Sequence, residues 1–100
     1  MVCRELRFHP EAVAEAQAAR EWYAARSDTA GEKFAIELRA ALERVQATPE
    51  RWPRYLHGTR RYLLHRFPYL VVYEIASEAV YIVAISHGRR KPGYWKQRRR

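Results

Sequence analysis

Residues 61–86 read RYLLHRFPYLVVYEIASEAVYIVAIS, where the pattern of the chain changes to the period of two that strands follow. Arg61 to Phe67, Tyr69 to Ile75 and Val80 to Ser86 are rich in Tyr, Val, Ile and Leu, side chains that suit a pleated, half-buried surface. The segment Ala76-Ser77-Glu78-Ala79 has hairpin length, so the three runs predict an antiparallel meander. The last two runs are apolar on both faces (Leu70, Val71, Val72; Tyr81, Ile82, Val83). That pattern predicts strands in the middle of a sheet, with helices over one face and another segment over the other.

Upstream of the meander the period lengthens. Pro10 suits a helix's first turn, where its missing N–H would have no intrahelical partner, and Glu11 and Glu15 favour the positive end of the helix dipole. A first helix is predicted from about Pro10 to Arg26, with His9 beside its start. Its stripe of Ala12, Ala16, Ala19 and Tyr23 is small enough for another helix to approach closely. Thr29 and Glu32 have capping-box spacing, so a second helix begins near Ala30 despite Gly31, carries Phe34, Leu38, Leu42 and Val45 inward, and ends at Thr48-Pro49. Trp22, Tyr23 and Phe34 are explained by packing. Val2, Leu6 and Phe8 alternate in a short edge strand at the start. Residues 49–60, with Pro49, Pro53 and Gly58 around Trp52 and Tyr55, connect the helices to the meander. The predicted fold class is α+β: an N-terminal strand, then a two-helix hairpin packed on a mainly antiparallel sheet of about four strands, in the order β-α-α-β-β-β. The expected organisation is one domain over residues 1–97 with a disordered basic tail at 98–100.

The chain has 100 residues, 48% of them hydrophobic, enough for a single modest core. No run approaches the ~20 apolar residues of a membrane span, and the first eight residues carry Arg4, Glu5 and Arg7 in place of an apolar signal core. Cys3 alone makes neither an internal disulfide nor a thiolate metal cluster. A cytoplasmic location is the expectation. His57 and His65 lack carboxylate or histidine neighbours at metal-ligand spacing, so no metal is expected, nor any cofactor. Glycine-rich phosphate loops, HExxH and GxSxG are absent.

Charge is segregated along the chain. Residues 1–50 hold seven basic and nine acidic side chains, residues 51–100 twelve and two, so the net charge of +8 belongs to the second half. Seven cations and no anion follow Gly88. Such a field attracts phosphate backbones or an acidic protein segment.

Phe8-His9-Pro10-Glu11-Ala12, Trp22-Tyr23, the helix from Phe34 to Leu42, Pro49, Trp52-Pro53, Arg60 to Leu64, Phe67-Pro68-Tyr69-Leu70-Val71-Val72-Tyr73 and Ala84 to Arg90 succeed one another in an order and spacing that resembles the RelE/ParE superfamily of type II toxins. The resemblance covers nearly the whole chain. It implies a growth inhibitor held inactive by a cognate acidic antitoxin in a hetero-oligomer, through a groove between helices and sheet that takes a helix or an added strand. Two mechanisms divide the superfamily: ParE-like members poison DNA gyrase, and RelE-like members are ribosome-dependent mRNA endoribonucleases.

Metal-independent RNA cleavage requires a base for the 2′-OH, cations for the charged transition state and an acid for the leaving oxygen. The catalytic candidates on that reading are Arg61, Arg66, His87 and Arg90. Arg60, His65, Arg89 and Lys91 join them as candidates for contacting a nucleic acid or other target, and Tyr94 and Trp95 are candidates for stacking on a base. RelE-like nucleases typically carry arginine where this chain has Leu70, and leucine cannot stabilise a phosphate. The resemblance therefore implies the ParE-like side, with the nuclease as alternative. The charge alone is compatible with a third reading, a non-catalytic nucleic-acid-binding module.

Overall fold

The computed structural model describes residues 4–99. Strand β1 (Glu5–Phe8) leads into helix α1 (Pro10–Ala24) and helix α2 (Ala30–Ala47). Strands β2 (Arg60–Leu63), β3 (Tyr69–Ile75) and β4 (Ala79–His87) complete one sheet in the order β1-β4-β3-β2. β1 runs parallel to β4, and the other pairings are antiparallel, as the mainly antiparallel expectation requires. β1 and β2 are the edges. β2 stops at Leu63, short of the predicted Phe67, because residues 64–68 form the turn that reverses the chain into β3. Val2 and Cys3 lie outside the described residues.

The helix starts differ in detail from expectation. At α1 the cap is His9, whose Nδ1 accepts the Glu11 N–H at 3.1 Å. At α2 the capping box is not formed: Thr29 has helical rather than extended backbone angles and makes no side-chain cap bond. Gly31 is needed for helix–helix contact, since a Cβ there would stand 2.8 Å from the Ala24 Cβ and 3.0 Å from the Arg20 carbonyl oxygen. The cost of glycine in a helix is offset by letting the two backbones meet.

The hairpin lies on one face of the sheet. Ala12, Ala19, Phe34, Leu38 and Val45 pack there against Tyr62, Val71, Tyr73, Val80, Ile82 and Ile85. The opposite face holds Val72, Val83 and Ala84 under Trp95, with Tyr55 and Tyr94 alongside. The segment expected over that second face is thus the C-terminal stretch together with the 49–60 connection. β4 also carries a bulge: Val72 pairs with Ala84 and Tyr73 with Ile82, so Val83 has no opposite number. The extra residue reverses the alternation, and Ile85 and His87 face the helices as Val80 and Ile82 do.

Candidate functional site

Beyond Ile82, β4 has no strand neighbour on its β1 side, because β1 ends there. The C-terminal segment and Glu15 of α1 occupy that position. Glu15 Oε1 accepts the Ile85 N–H at 3.0 Å and the Arg98 guanidinium at 2.9 Å, and Oε2 accepts the Tyr94 hydroxyl at 2.6 Å and lies 3.4 Å from Arg90. Arg98 also reaches the Val83 carbonyl at 3.4 Å. Burial alone would lower the Arg98 pKa; the hydrogen bond and charge of Glu15, helped by Tyr94 and Glu11, more than offset it and raise it. Burial, reinforced by the bond to Glu15, pushes the Tyr94 hydroxyl up to about 12.

The expectation of a disordered tail is corrected by these contacts. Arg98 closes a single-turn 3-10 helix (Lys96–Arg98) with its side chain only 13% exposed, and Arg99 donates to the His57 carbonyl at 3.1 Å. Arg100 lies outside the described residues. Trp95 is a core residue at 1% exposure, so its role as a stacking platform is corrected too. Tyr94 is half-buried, with the Arg90 guanidinium 3.6 Å above its ring.

The remaining candidates divide between faces. His87 lies on the helix side, its ring 5.0 Å from Tyr69, and its Nδ1 accepts the Arg89 N–H at 3.0 Å. Arg61 is on the opposite face, its guanidinium 5.0 Å from the ring of Tyr55. Arg60 alternates back to the helix side, where it donates to the carbonyls of Glu50 (3.1 Å) and Trp52 (2.7 Å). The Arg60-Arg61 charges therefore do not add in one direction. The turn at 64–68 does meet the end of β4: the Gly88 N–H donates to the Pro68 carbonyl at 2.7 Å. His65 and Arg66 are thereby at the same end of the sheet as His87, Arg89, Arg90 and Lys91, and Glu37 holds the backbone N–H groups of His65 and Arg66. No single surface collects all four catalytic candidates. Among the described residues no three His, Cys, Asp or Glu side chains gather as a metal site.

Two of the clefts beside the sheet bear on these residues. The first, about 720 Å³, lies between α1 and the end of β4 and is lined by Trp22, Tyr23, Tyr69, His87, Arg89 and Arg90. Trp22, expected to pack inside, is 52% exposed at its mouth with Arg26 3.7 Å over its ring. The second, about 690 Å³, lies between the end of α2 and the edge strand β2, where Arg44, Arg51, Arg61 and His65 surround Trp52 and Tyr62. Arg44 and Arg51 bracket a helix end with Trp52 adjacent, a signal present in the sequence but not recognisable without the β2 edge beside it. Glu15 as a hub has no sequence signal, because its partners lie 70 to 83 residues away.

Fold and surface together define a small basic α+β protein whose cations border clefts beside its sheet. The family model described as ParE toxin of the type II toxin-antitoxin system, parDE, matches residues 6–92, and the chain belongs to that family. It is the toxin component of a type II system, whose partner is an antitoxin. A solved structure titled as the chromosomal ParDE TA system from P. aeruginosa is similar in fold, with a TM-score of 0.63 and 19% identity over 85% of this chain and 96% of that one. No curated protein matches the chain. No described helix is long and apolar enough to cross a membrane.

Proposed function

We propose that this toxin arrests growth by binding DNA gyrase, as a ParE-like poison without nuclease chemistry of its own, and that an acidic antitoxin neutralises it. The observation that carries the reading is the separation of the nuclease candidates. His87 and Arg61 are on opposite faces of the sheet, and Arg90 is tied to Glu15 and Tyr94. A charged transition state needs preorganised donors around one reacting phosphate, and losing one such contact typically costs roughly 10²–10³ in rate. Leu70, where RelE-like nucleases carry arginine, instead packs beside Val72, Val83, Ala84 and Trp95. Its register partner Leu63 is 56% exposed, so an apolar strip occupies the place of a phosphate site.

The test is induction of the gene alone and together with the adjacent reading frame. Growth arrest rescued by the neighbour, with protein-linked DNA breaks and an unchanged map of RNA 5′ ends, is the expected outcome. Codon-linked RNA cuts without DNA breaks would replace this reading with the endoribonuclease.

A further inference from the structure

We infer that the strip formed by Leu63 and Leu70, on the sheet face turned away from the helices, seats an extended segment of the gyrase polypeptide, with an oxygen acceptor of that segment on the Arg61 guanidinium; this rests on the gyrase reading and names the surface it uses. Register and alternation build the strip. Leu63 pairs with Leu70 and Arg61 with Val72. The Leu64 N–H donates to the Tyr69 carbonyl at 3.0 Å, so alternation makes both pairs of the closer, non-hydrogen-bonded kind. Leu70 packs beside Val72 and Trp95, whereas Leu63 across from it is left 56% exposed. The cover that Trp95, Tyr55 and Tyr94 lay over this face therefore stops short of Leu63.

The chemistry of the strip selects a protein over a nucleic acid. Two leucines offer nothing to a phosphate and no ring to a base, and the Tyr55 ring beside them already carries the Arg61 guanidinium at 5.0 Å. An apolar side chain buries them. The edge adds a main-chain anchor that a polypeptide can extend: the Arg61 N–H turns outward to the Pro53 carbonyl at 3.1 Å, and the same alternation turns the Leu63 N–H and C=O outward past that contact. Charge supplies an independent sign. Arg61 Nε is buried without an acceptor, the one such side-chain atom among the described residues, and no described carboxylate lies within 4.0 Å of Arg61. Neither the row of Arg61, Val72 and Ala84 nor the row of Leu63, Leu70 and Ser86 contains an acid. A donor left unmet is costly, so an oxygen that draws the guanidinium off the Tyr55 ring is favoured. The antitoxin's expected groove lies between helices and sheet, on the other face, which leaves this one to the target.

The experiment titrates purified toxin into DNA gyrase, ATP and supercoiled plasmid and reads linear plasmid after detergent and protease. It uses wild type, Leu63→Asp, Leu63→Lys, Arg61→Ala and, as a control on α2, Ile36→Asp, each checked for an unchanged melting temperature and for binding to the protein encoded by the adjacent reading frame. Leu63 and Ile36 are 56% and 60% exposed, so changing them disturbs no core. The toxin concentration that gives half the maximal linear plasmid should rise about tenfold or more for both Leu63 variants and for Arg61→Ala, and stay within about twofold of wild type for Ile36→Asp, with antitoxin binding unchanged throughout. Linearisation by both Leu63 variants at the wild-type concentration would overturn the assignment while leaving the gyrase reading intact, and no linearisation by wild type would overturn both. Stronger poisoning by Leu63→Lys beside a weakened Leu63→Asp would assign the strip to DNA phosphates, and lost antitoxin binding with poisoning intact would assign it to the antitoxin; either result likewise overturns the inference.

Discussion

Glu15 stands midway along α1, and nothing near it in sequence announces its partners. Folding gives it an amide, a phenol and two guanidinium groups, each from the far end of the chain. Its side chain is 15% exposed, so these are charge-assisted bonds with little competition from water. Glu15→Gln removes the charge while nearly keeping the shape, and should cost about 1.5–3 kcal/mol in urea unfolding. A cost within about 0.3 kcal/mol would mean the C-terminal segment is held by Trp95 alone. The phenols of Tyr73 and Tyr94 give a second prediction. Burial holds both at about 12 against an ordinary 10, with the Tyr73 hydroxyl donating to the Pro49 carbonyl at 2.6 Å. The native state keeps these protons after the unfolded chain has released them. Their stabilisation is therefore complete below pH 10 and is lost as pH rises from 10 through about 12, by up to about 2–3 kcal/mol for each tyrosine. Denaturant unfolding across that window should show the fall, and Tyr94→Phe should flatten it; an unchanged slope in the variant would contradict the placement of Tyr94.

At the scale of elements, α1 and α2 meet where Gly31 faces Ala24. Alanine is the better helix former by about 1 kcal/mol, yet the added methyl meets a backbone carbonyl that cannot turn aside. Gly31→Ala should be net destabilising by about 1–2 kcal/mol, and Thr29→Ala, which removes no cap bond, should cost less than about 0.5 kcal/mol. Thermal denaturation of both variants checks this pair, and the reverse order would restore the capping box and dismiss the close contact. The elements themselves were legible because a period of two and a period of 3.6 are local properties, punctuated here by Pro10, Pro49 and the Ser27-Asp28-Thr29 break. The face each strand residue takes was not. That depends on the bulge at Val83, which no residue type in Val80 to Ser86 marks, and which turns His87 toward the helices and away from Arg61.

Across the whole molecule, the charge excess of the second half is divided rather than pooled. Part of it is neutralised internally at Glu15, part lies exposed where the turn at 64–68 meets the end of β4, and part rims the cleft beside β2. Sequence arithmetic registers the excess but not this division, since pairing across 75 to 83 residues is a property of the folded chain. An undivided cation cluster around one phosphate would suit an RNA-cleaving centre; dispersed arginines beside apolar strips suit binding to proteins. The most direct measurement incubates the purified toxin with DNA gyrase, ATP and supercoiled plasmid, then treats the mixture with detergent and protease. A gyrase poison predicts linear plasmid accumulating with toxin concentration and suppressed by the antitoxin. Plasmid that stays unbroken, while the same preparation cuts messenger RNA on translating ribosomes, would contradict it.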